Sequence, residues 1–241
     1  MEKIYFTREK FNKLWNKLEY LGSGGEGTCK KLNKRESIKY LDGSPTDLTE
    51  DQIDQFLNLK NQTYLFPYKP FYIDYELMGY IAKCSSGKNL IEVSRDNIRF
   101  DKFIKGSKKV EIDCNTLSEK GVMTFDLLFN ILYKNGVFHI IDTCDYEIVD
   151  KDSKKLYRDN IKLFNYSLLE FLVKDRFYEF VFTSKELSEL YKEAEIGESI
   201  IPFLEMLRQR LSEYCDMDVK VVRDAKKAMT LCHKSVYPEY F

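Results

Sequence analysis

The chain has 241 residues, of which 44% are hydrophobic and 32% charged, and its formal net charge is −1. These values are typical of a globular protein with a sizeable core, and the near-zero charge gives no general attraction to nucleic acid. We find no apolar run of transmembrane length and no signal segment at the start, so we expect a cytoplasmic protein without a membrane partner. The six cysteines are scattered without a C-x-x-C pair, which argues against a zinc site or a disulfide framework.

The first third of the chain predicts one helix followed mainly by strands. Residues 3–18 carry apolar side chains at helical spacing and predict an amphipathic helix. Residues 19–41 predict a glycine-rich loop with flanking strands. A turn at 42–45 and a helix over 46–61 follow, and residues 71–81 predict a tight hairpin with an exit strand.

The rest of the chain predicts helices interrupted by one hairpin. Asn135-Gly136 between two apolar runs is the strongest short-range signal for a hairpin. Helices are expected over 156–181, 200–211 and 223–233, whereas the basic stretch 105–109 reads as a solvated loop. Strands first and helices later, with a hairpin at the junction, predict an α+β fold with two lobes.

A G-x-G-x-x-G motif spans residues 22–27, and Lys39 follows it on a second extended run. Glycines let backbone amides approach phosphates, and a lysine nearby can neutralise their charge, although such motifs also occur by chance in turns. In a dinucleotide-binding fingerprint a helix begins directly after the last glycine. Residues 28–41 favour a hairpin instead, which argues against this class. The Gly-Lys-Ser/Thr of the other large class of phosphate loops is absent. Of the three phosphate-binding schemes, the one used by kinases is left, in which a glycine-rich loop covers the phosphates and a lysine lies on the third strand.

Asn130 and Asp142 flank the predicted hairpin. If Asn135-Gly136 is a two-residue turn, Asn130 lies opposite Ile141, next to Asp142. An amide and a carboxylate are hard oxygen ligands suited to a magnesium ion that carries phosphates, although both residue types also commonly end strands. With the glycine motif and Lys39 upstream, we favour a metal site.

In these motifs and their order the chain resembles the protein-kinase-like family, and compact phage- and bacteria-borne members look most similar. The resemblance covers about residues 19–150. It implies a small N-terminal lobe over 1–81, with an N-terminal helix, a five-stranded antiparallel sheet and one main helix, and a mostly helical C-terminal lobe over 82–241. Residues 78–81 look like the segment that joins the lobes, so the backbone of Met78, Tyr80 and Ile81 would receive adenine.

The resemblance also implies an ATP- and magnesium-dependent phosphotransferase that acts on a hydroxyl of a protein or small molecule. Lys39 would hold the α- and β-phosphates and would pair with Glu50 on the following helix, with Asp54 as the alternative partner. The β- and γ-phosphates would be held by backbone amides of the glycine loop, namely Gly22, Ser23, Gly24, Gly25 and Gly27.

The hairpin region would supply the metal ligands and the catalytic base. Asn130 and Asp142 would hold magnesium, and Asp126 would orient the acceptor hydroxyl and take its proton. Three departures from the family pattern concern this region. No histidine precedes Asp126, Asn130 follows Asp126 by four residues rather than five, and the metal triplet at 142–144 reads Asp-Thr-Cys.

These departures, together with a short segment after the triplet that lacks Ala-Pro-Glu, leave two other functions open. The chain is alternatively a pseudokinase, a regulatory module that binds a nucleotide or a protein without catalysis. A third interpretation is an α+β interaction domain in which the glycine motif is incidental. The sequence leaves the phosphate acceptor open.

Overall fold

A computed structural model describes residues 1–41, 48–59 and 61–236 of the chain, with the backbone alone for 231–236. The turn predicted at 42–45 and the first residues of the helix predicted over 46–61 lie outside the described residues. The described chain forms two compact units. The first consists of Met1–Ser86 and His139–Glu147, and the second of Gly87–Phe138 and the described chain from Ile148 onward.

The first unit is built on a six-stranded sheet. Its strands are β1 (Ile4–Phe6), β2 (Glu19–Gly24), β3 (Gly27–Lys31), β4 (Glu36–Tyr40), β5 (Pro67–Ile73) and β6 (Glu76–Lys83). They lie in the order β1-β5-β6-β4-β3-β2. β1 runs parallel to β5 and the other neighbours are antiparallel, so the sheet is mixed and six-stranded rather than five-stranded and antiparallel as predicted.

The N-terminal helix is shorter than the predicted 3–18. It is α1 (Arg8–Trp15), and Thr7 begins it by accepting a hydrogen bond from the amide of Lys10. Residues Ile4–Phe6 instead form β1, because β-branched and aromatic side chains suit a pleated sheet and pairing with β5 outweighs the helical spacing.

The second helix of this unit is α2 (Glu50–Leu57), which follows β4 and precedes β5. Thr49 and Gln52 form a capping box at its start, which explains why the described helix begins at Glu50. Its buried residue Ile53 belongs to an apolar cluster with Leu41, Tyr80 and Cys144. The hairpin predicted over 71–81 is confirmed as β5 and β6 with a turn at 74–75.

Residues 139–147 join the first unit through backbone hydrogen bonds. The amide of Ile140 donates to the Thr63 carbonyl at 2.8 Å, and the amide of Leu65 donates to the Ile140 carbonyl at 2.8 Å. The Thr143 hydroxyl also donates to the Leu65 carbonyl at 3.3 Å. The division therefore differs from the predicted 1–81 and 82–241, since this segment carries Asp142 into the first unit.

The second unit is mainly helical. Its helices are α3 (Phe100–Glu119), α4 (Ser153–Leu172), α5 (Arg176–Thr183), α6 (Lys185–Glu195), α7 (Ile201–Cys215) and α8 (Val222–Val236). The short strands after β6 are β7 (Lys88–Asn89), β8 (Val122–Met123), β9 (Ile131–Lys134), β10 (Val137–Ile140) and β11 (Glu147–Ile148). The unit boundary crosses β10 and β11.

The hairpin predicted at Asn135-Gly136 is confirmed as β9 and β10. Both turn residues have positive φ, 51° and 88°, as a two-residue turn matched to the strand twist requires. The helices predicted over 200–211 and 223–233 are confirmed as α7 and α8.

Two predictions for the second unit were wrong. The basic stretch 105–109 lies inside α3, where Gly106 and Ser107 are buried. The helix predicted over 156–181 is two helices, α4 and α5, because Asp175 takes a left-handed backbone with φ 54° and interrupts the helical hydrogen bonds. The protein is therefore α+β, and among its described residues no helix is long and apolar enough to cross a membrane.

Candidate functional site

Lys39 lies on strand β4 of the first unit, and its side chain is largely buried. Lys39 lies directly opposite Cys29 on β3 and opposite Tyr80 on β6. Residues opposite each other on neighbouring strands share a face of the sheet, so these three side chains lie together. Lys39 is 8% exposed, and its ammonium lies 5.9 Å from the centre of the Tyr80 ring.

Two carboxylates bind the Lys39 ammonium directly. Glu26 Oε2 accepts a hydrogen bond from Nζ at 2.6 Å, and Asp142 Oδ1 accepts another. The Cys144 sulfur lies 3.9 Å from the same nitrogen. A buried ammonium needs partners for its three donors, and these side chains supply them. The structure thus brings together two predicted site residues, Lys39 and Asp142.

The electrostatics of this cluster keep Lys39 charged. Burial lowers the pKa of the Lys39 ammonium, but Cys144 together with the Asp142 and Glu26 carboxylates outweighs burial, and the pKa is raised. Burial also raises the pKa of the Cys144 thiol, so that sulfur remains protonated and contributes no full charge. The site therefore holds one cation between two anions.

A further carboxyl group extends the cluster. Glu26, Cys144 and Asp145 have ligand atoms within 4.8 Å of one another. Burial, a hydrogen bond with Glu26 and the charges of Glu26 and Asp142 raise the pKa of Asp145 to about 6. Hydrogen bonds from Asp145 and Lys39 outweigh burial at Glu26 and lower its pKa. These carboxylate oxygens are the type of ligand that a magnesium ion prefers.

The predicted glycine loop is the β2–β3 hairpin. Gly24 pairs with Gly27, so Gly25 and Glu26 form the turn. A Cβ atom built on Gly22, Gly24 or Gly25 would meet nothing within 4 Å, so this side of the loop is open to a ligand. The Ser23 hydroxyl is hydrogen-bonded to the Tyr20 hydroxyl at 2.9 Å.

Gly27 has a different role from the other glycines of the motif. A Cβ atom on Gly27 would lie 2.1 Å from the Tyr40 carbonyl oxygen. The absence of a side chain there lets β3 and β4 pair closely, which sets the loop beside Lys39.

The prediction that Glu50 pairs with Lys39 was wrong. Glu50 is the first residue of α2, and its carboxylate binds the ammonium of Lys3 and the hydroxyl of Tyr72. Asp54, the alternative partner, lies on the exposed side of the same helix. The helix presents Ile53 rather than an acid to the buried cluster, and Glu26 of the glycine loop binds the lysine instead.

The prediction that residues 78–81 join the two lobes was also wrong. Met78, Tyr80 and Ile81 lie inside β6, between β4 and β5. Tyr80 and Ile81 each lie opposite a residue of β4 and a residue of β5. The Met78 carbonyl accepts a hydrogen bond from the Leu41 amide. The chain leaves the first unit only after Ser86, so the connection follows β6.

Asp126 and Asn130 lie in the second unit, in the loop between β8 and β9. The Asn130 side-chain amide donates to the Asp126 backbone carbonyl at 2.8 Å. Asp126 is exposed and has a left-handed φ of 41°. Asp142 in the first unit has the same type of backbone, with φ 58°. Non-glycine residues with such φ values are uncommon and concentrate at functional sites.

A buried asparagine holds the start of this loop. The Asn160 side chain on α4 accepts hydrogen bonds from the amide and hydroxyl of Thr124, at 2.9 and 3.1 Å. Its amide donates to the Val122 carbonyl at 2.8 Å and to the Ser118 hydroxyl at 3.0 Å. All four contacts lie within the second unit and fix the backbone just before Asp126.

Sequence reasoning missed Glu26 and Asn160. Glu26 is the one residue of the glycine motif that is neither glycine nor serine, which could have marked it. Asn160 is a polar residue inside an apolar helical stripe, next to Ile161 and one turn before Phe164. A polar side chain at such a position signals a buried hydrogen-bond network.

Comparison with models of known protein families gave no match to this chain. A comparison with curated protein sequences gave no match either.

Proposed function

We propose that this chain is an ATP- and magnesium-dependent phosphotransferase of the protein-kinase-like type. One observation carries the proposal, the hydrogen bond from Lys39 to Asp142 beside the turn of the glycine loop. A kinase needs a lysine for the nucleotide phosphates and a carboxylate for the metal in one place. The sequence context alone predicts both residues as parts of one site.

The order of elements supports the proposed two-lobed kinase-like fold. The glycine loop joins β2 and β3, Lys39 lies on β4 as the third strand of that run, and α2 comes next. The helical second unit contains the loop with Asp126 and Asn130, followed by the hairpin that leads to Asp142. Protein kinases use this sequence of glycine loop, lysine strand, catalytic loop and metal-binding aspartate.

Within this proposal each residue has a defined task. The space beside Gly22, Gly24 and Gly25, where side chains would otherwise lie, accommodates the phosphates, and Lys39 neutralises part of their charge. Asp142 would supply an oxygen ligand for magnesium, which would stabilise charge on the phosphates.

Asp126 is the proposed base for transfer. It takes the proton of the acceptor hydroxyl as the hydroxyl oxygen bonds to the γ-phosphorus. The bond from that phosphorus to the bridging oxygen breaks, and ADP leaves with the electron pair. The acceptor is a protein or a small molecule.

A second candidate function, a nucleotide-binding regulatory module without catalysis, is favoured by two observations. Glu50 binds Lys3 and Tyr72 instead of Lys39, so the lysine lacks the helix carboxylate that active kinases use. Asn130 also follows Asp126 by four residues rather than five, and a misplacement of about 1 Å can cost about a hundredfold in rate.

Binding and transfer are tested separately. Millimolar ATP with magnesium should raise the thermal midpoint of the wild type, because a ligand of the folded state stabilises it. No rise with or without magnesium would remove both candidate functions. Transfer from labelled ATP is then compared for wild type, Asp142→Ala and Asp126→Asn. Loss of transfer in both variants supports the kinase, whereas equal transfer in all three identifies a contaminant.

Binding without transfer supports the regulatory module. That result would need the absence of transfer to the protein itself, to generic protein acceptors and to a panel of hydroxyl-bearing metabolites. The variant Glu19→Gln is the matched control, because it removes a carboxylate from the same β2–β3 hairpin where Glu19 pairs with Lys31. It should bind and transfer like the wild type.

A further inference from the structure

Glu26 occupies an unusual position in the glycine loop. It lies in the two-residue turn between Gly24 and Gly27, and its side chain points to the sheet with 32% of its surface exposed. Its carboxylate is bonded to the Lys39 ammonium, which is the group proposed to receive the nucleotide phosphates. A carboxylate of the loop itself therefore occupies the lysine that is proposed to bind the phosphates.

The charges around Lys39 do not favour another free anion. The carboxylates of Glu26 and Asp142 both accept hydrogen bonds from this one ammonium, and the carboxyl group of Asp145 is hydrogen-bonded to Glu26 beside it. The donors of Lys39 are already directed at two carboxylates and a sulfur. A polyphosphate that enters without a metal ion therefore meets a net negative site and a lysine without a free donor.

We infer that Glu26 competes with nucleotide phosphates for Lys39 and thereby restricts the site to nucleotides complexed with a divalent cation. This inference rests on the proposed nucleotide function. A divalent cation neutralises the phosphates and attracts the surplus carboxylates, so the metal complex binds where the bare nucleotide is repelled. Gly24 and Gly25, which precede Glu26, give the turn the backbone freedom to withdraw the carboxylate.

The test is nucleotide affinity with and without metal in Glu26→Gln. Glutamine keeps the volume and removes the charge. Isothermal titration calorimetry gives the Kd for ATP in EDTA and in excess MgCl2. We expect Glu26→Gln to bind metal-free ATP about tenfold more tightly than the wild type, as loss of one partly buried charge interaction implies. The change in the Kd for ATP measured in MgCl2 should be smaller, so ATP binding by Glu26→Gln should depend less on the metal than binding by the wild type.

Two further variants make the result specific. Glu26→Ala should shift metal-free affinity in the same direction, so the conclusion does not depend on one variant folding normally. Glu19→Gln removes a carboxylate from the same hairpin, but from its pair with Lys31, and should leave both Kd values unchanged.

The outcomes separate this inference from the proposed function. Unchanged or weaker metal-free binding in both Glu26 variants, while the wild type binds ATP with magnesium, overturns the competition and leaves nucleotide binding intact. Binding of metal-free ATP by the Glu26 variants but not by the wild type supports both the proposed nucleotide function and the competition by Glu26. No binding by any protein, in EDTA or MgCl2, overturns the proposed function and the inference together.

Discussion

The Lys39 ammonium and the Asp142 carboxylate are hydrogen-bonded to each other although 103 residues separate them in the chain. Lys39 is the shared partner of Asp142 and Glu26, so its removal leaves two carboxylates together without a counter-ion. We predict that Lys39→Met lowers the free energy of unfolding by about 2 kcal/mol, less than for a fully buried pair because both acids are partly exposed. It should also abolish the ATP-dependent rise in thermal midpoint.

Urea denaturation and thermal shift with ATP measure the two effects. Lys31→Met is the control, because Lys31 lies on the neighbouring strand and pairs with the exposed Glu19. It should change stability little and leave ATP binding intact. Equal stability of Lys39→Met and Lys31→Met would contradict the role assigned to the buried ammonium.

Two glycines of the same motif should respond differently to alanine. Gly27→Ala would place a Cβ atom 2.1 Å from the Tyr40 carbonyl and 3.0 Å from the Leu41 Cα, both backbone atoms that cannot easily move. We expect a loss of about 2–4 kcal/mol. Gly24→Ala meets open space and should change stability by less than about 1 kcal/mol.

The two variants are distinguished by their ATP affinity as well. Gly24→Ala should weaken nucleotide binding while the fold remains stable, since a methyl group keeps the loop backbone from the phosphates. Stability is followed by urea denaturation and affinity by calorimetry. Wild-type affinity in Gly24→Ala would show that the loop backbone does not approach a ligand.

Glu50 gives a prediction opposite to the usual kinase pattern. Because it binds Lys3 and Tyr72, Glu50→Gln should leave the ATP-dependent thermal shift unchanged apart from a small loss of stability. Glu26→Gln, in contrast, should change the affinity. A loss of ATP binding in Glu50→Gln would indicate that α2 moves to bring Glu50 to Lys39 when nucleotide binds.

The elements of the site could be predicted where local chemistry determines them. Asn135-Gly136 specifies its own turn, and the glycine loop was placed correctly between two strands. The partner of Lys39 could not be predicted, because it depends on how strands β3 and β4 pair and on which side of α2 is buried. The helix pattern identified Ile53 as inward-facing, but the choice between Glu50, Asp54 and Glu26 required tertiary distances.

His139 should make stability depend on pH. Its Nδ1 is hydrogen-bonded to the Ser85 hydroxyl at 2.9 Å, and burial and then the charge of Lys83 lower its pKa from 6.5. The unfolded chain therefore binds a proton near pH 6.5 that folded His139 accepts only at lower pH. The unfolded state then binds more protons, and stability falls as the pH decreases below 6.5.

The measurement compares the wild type with His139→Asn, which retains a group able to bond Ser85. Urea denaturation at pH 7.5, 6.5 and 5.5 should show a greater loss in the wild type. Other titrating groups are common to both proteins and cancel in the difference. Parallel pH profiles would exclude His139 as a source of the dependence.

Asn160 should contribute more than an exposed asparagine on a helix. Asn160→Ala leaves the buried Thr124 amide and Val122 carbonyl without their partner, which should cost about 2–3 kcal/mol. Asn115→Ala, whose side chain is exposed and bonds Glu119, should cost less than about 0.5 kcal/mol. Urea denaturation gives both values, and hydrogen exchange of the Thr124 amide should accelerate only in Asn160→Ala.

The first unit is assembled from two separate stretches of chain, and this affects when it can fold during synthesis. Cys144 belongs to the same buried cluster as Ile53 and Tyr80, but the ribosome adds it only after the whole stretch Gly87–Phe138. A nascent chain that ends at Ser86 therefore exposes part of an unfinished core, and its Lys39 has Glu26 but not Asp142 as a partner. Such non-local closure slows folding and leaves apolar surface open to chaperones until the later segment arrives.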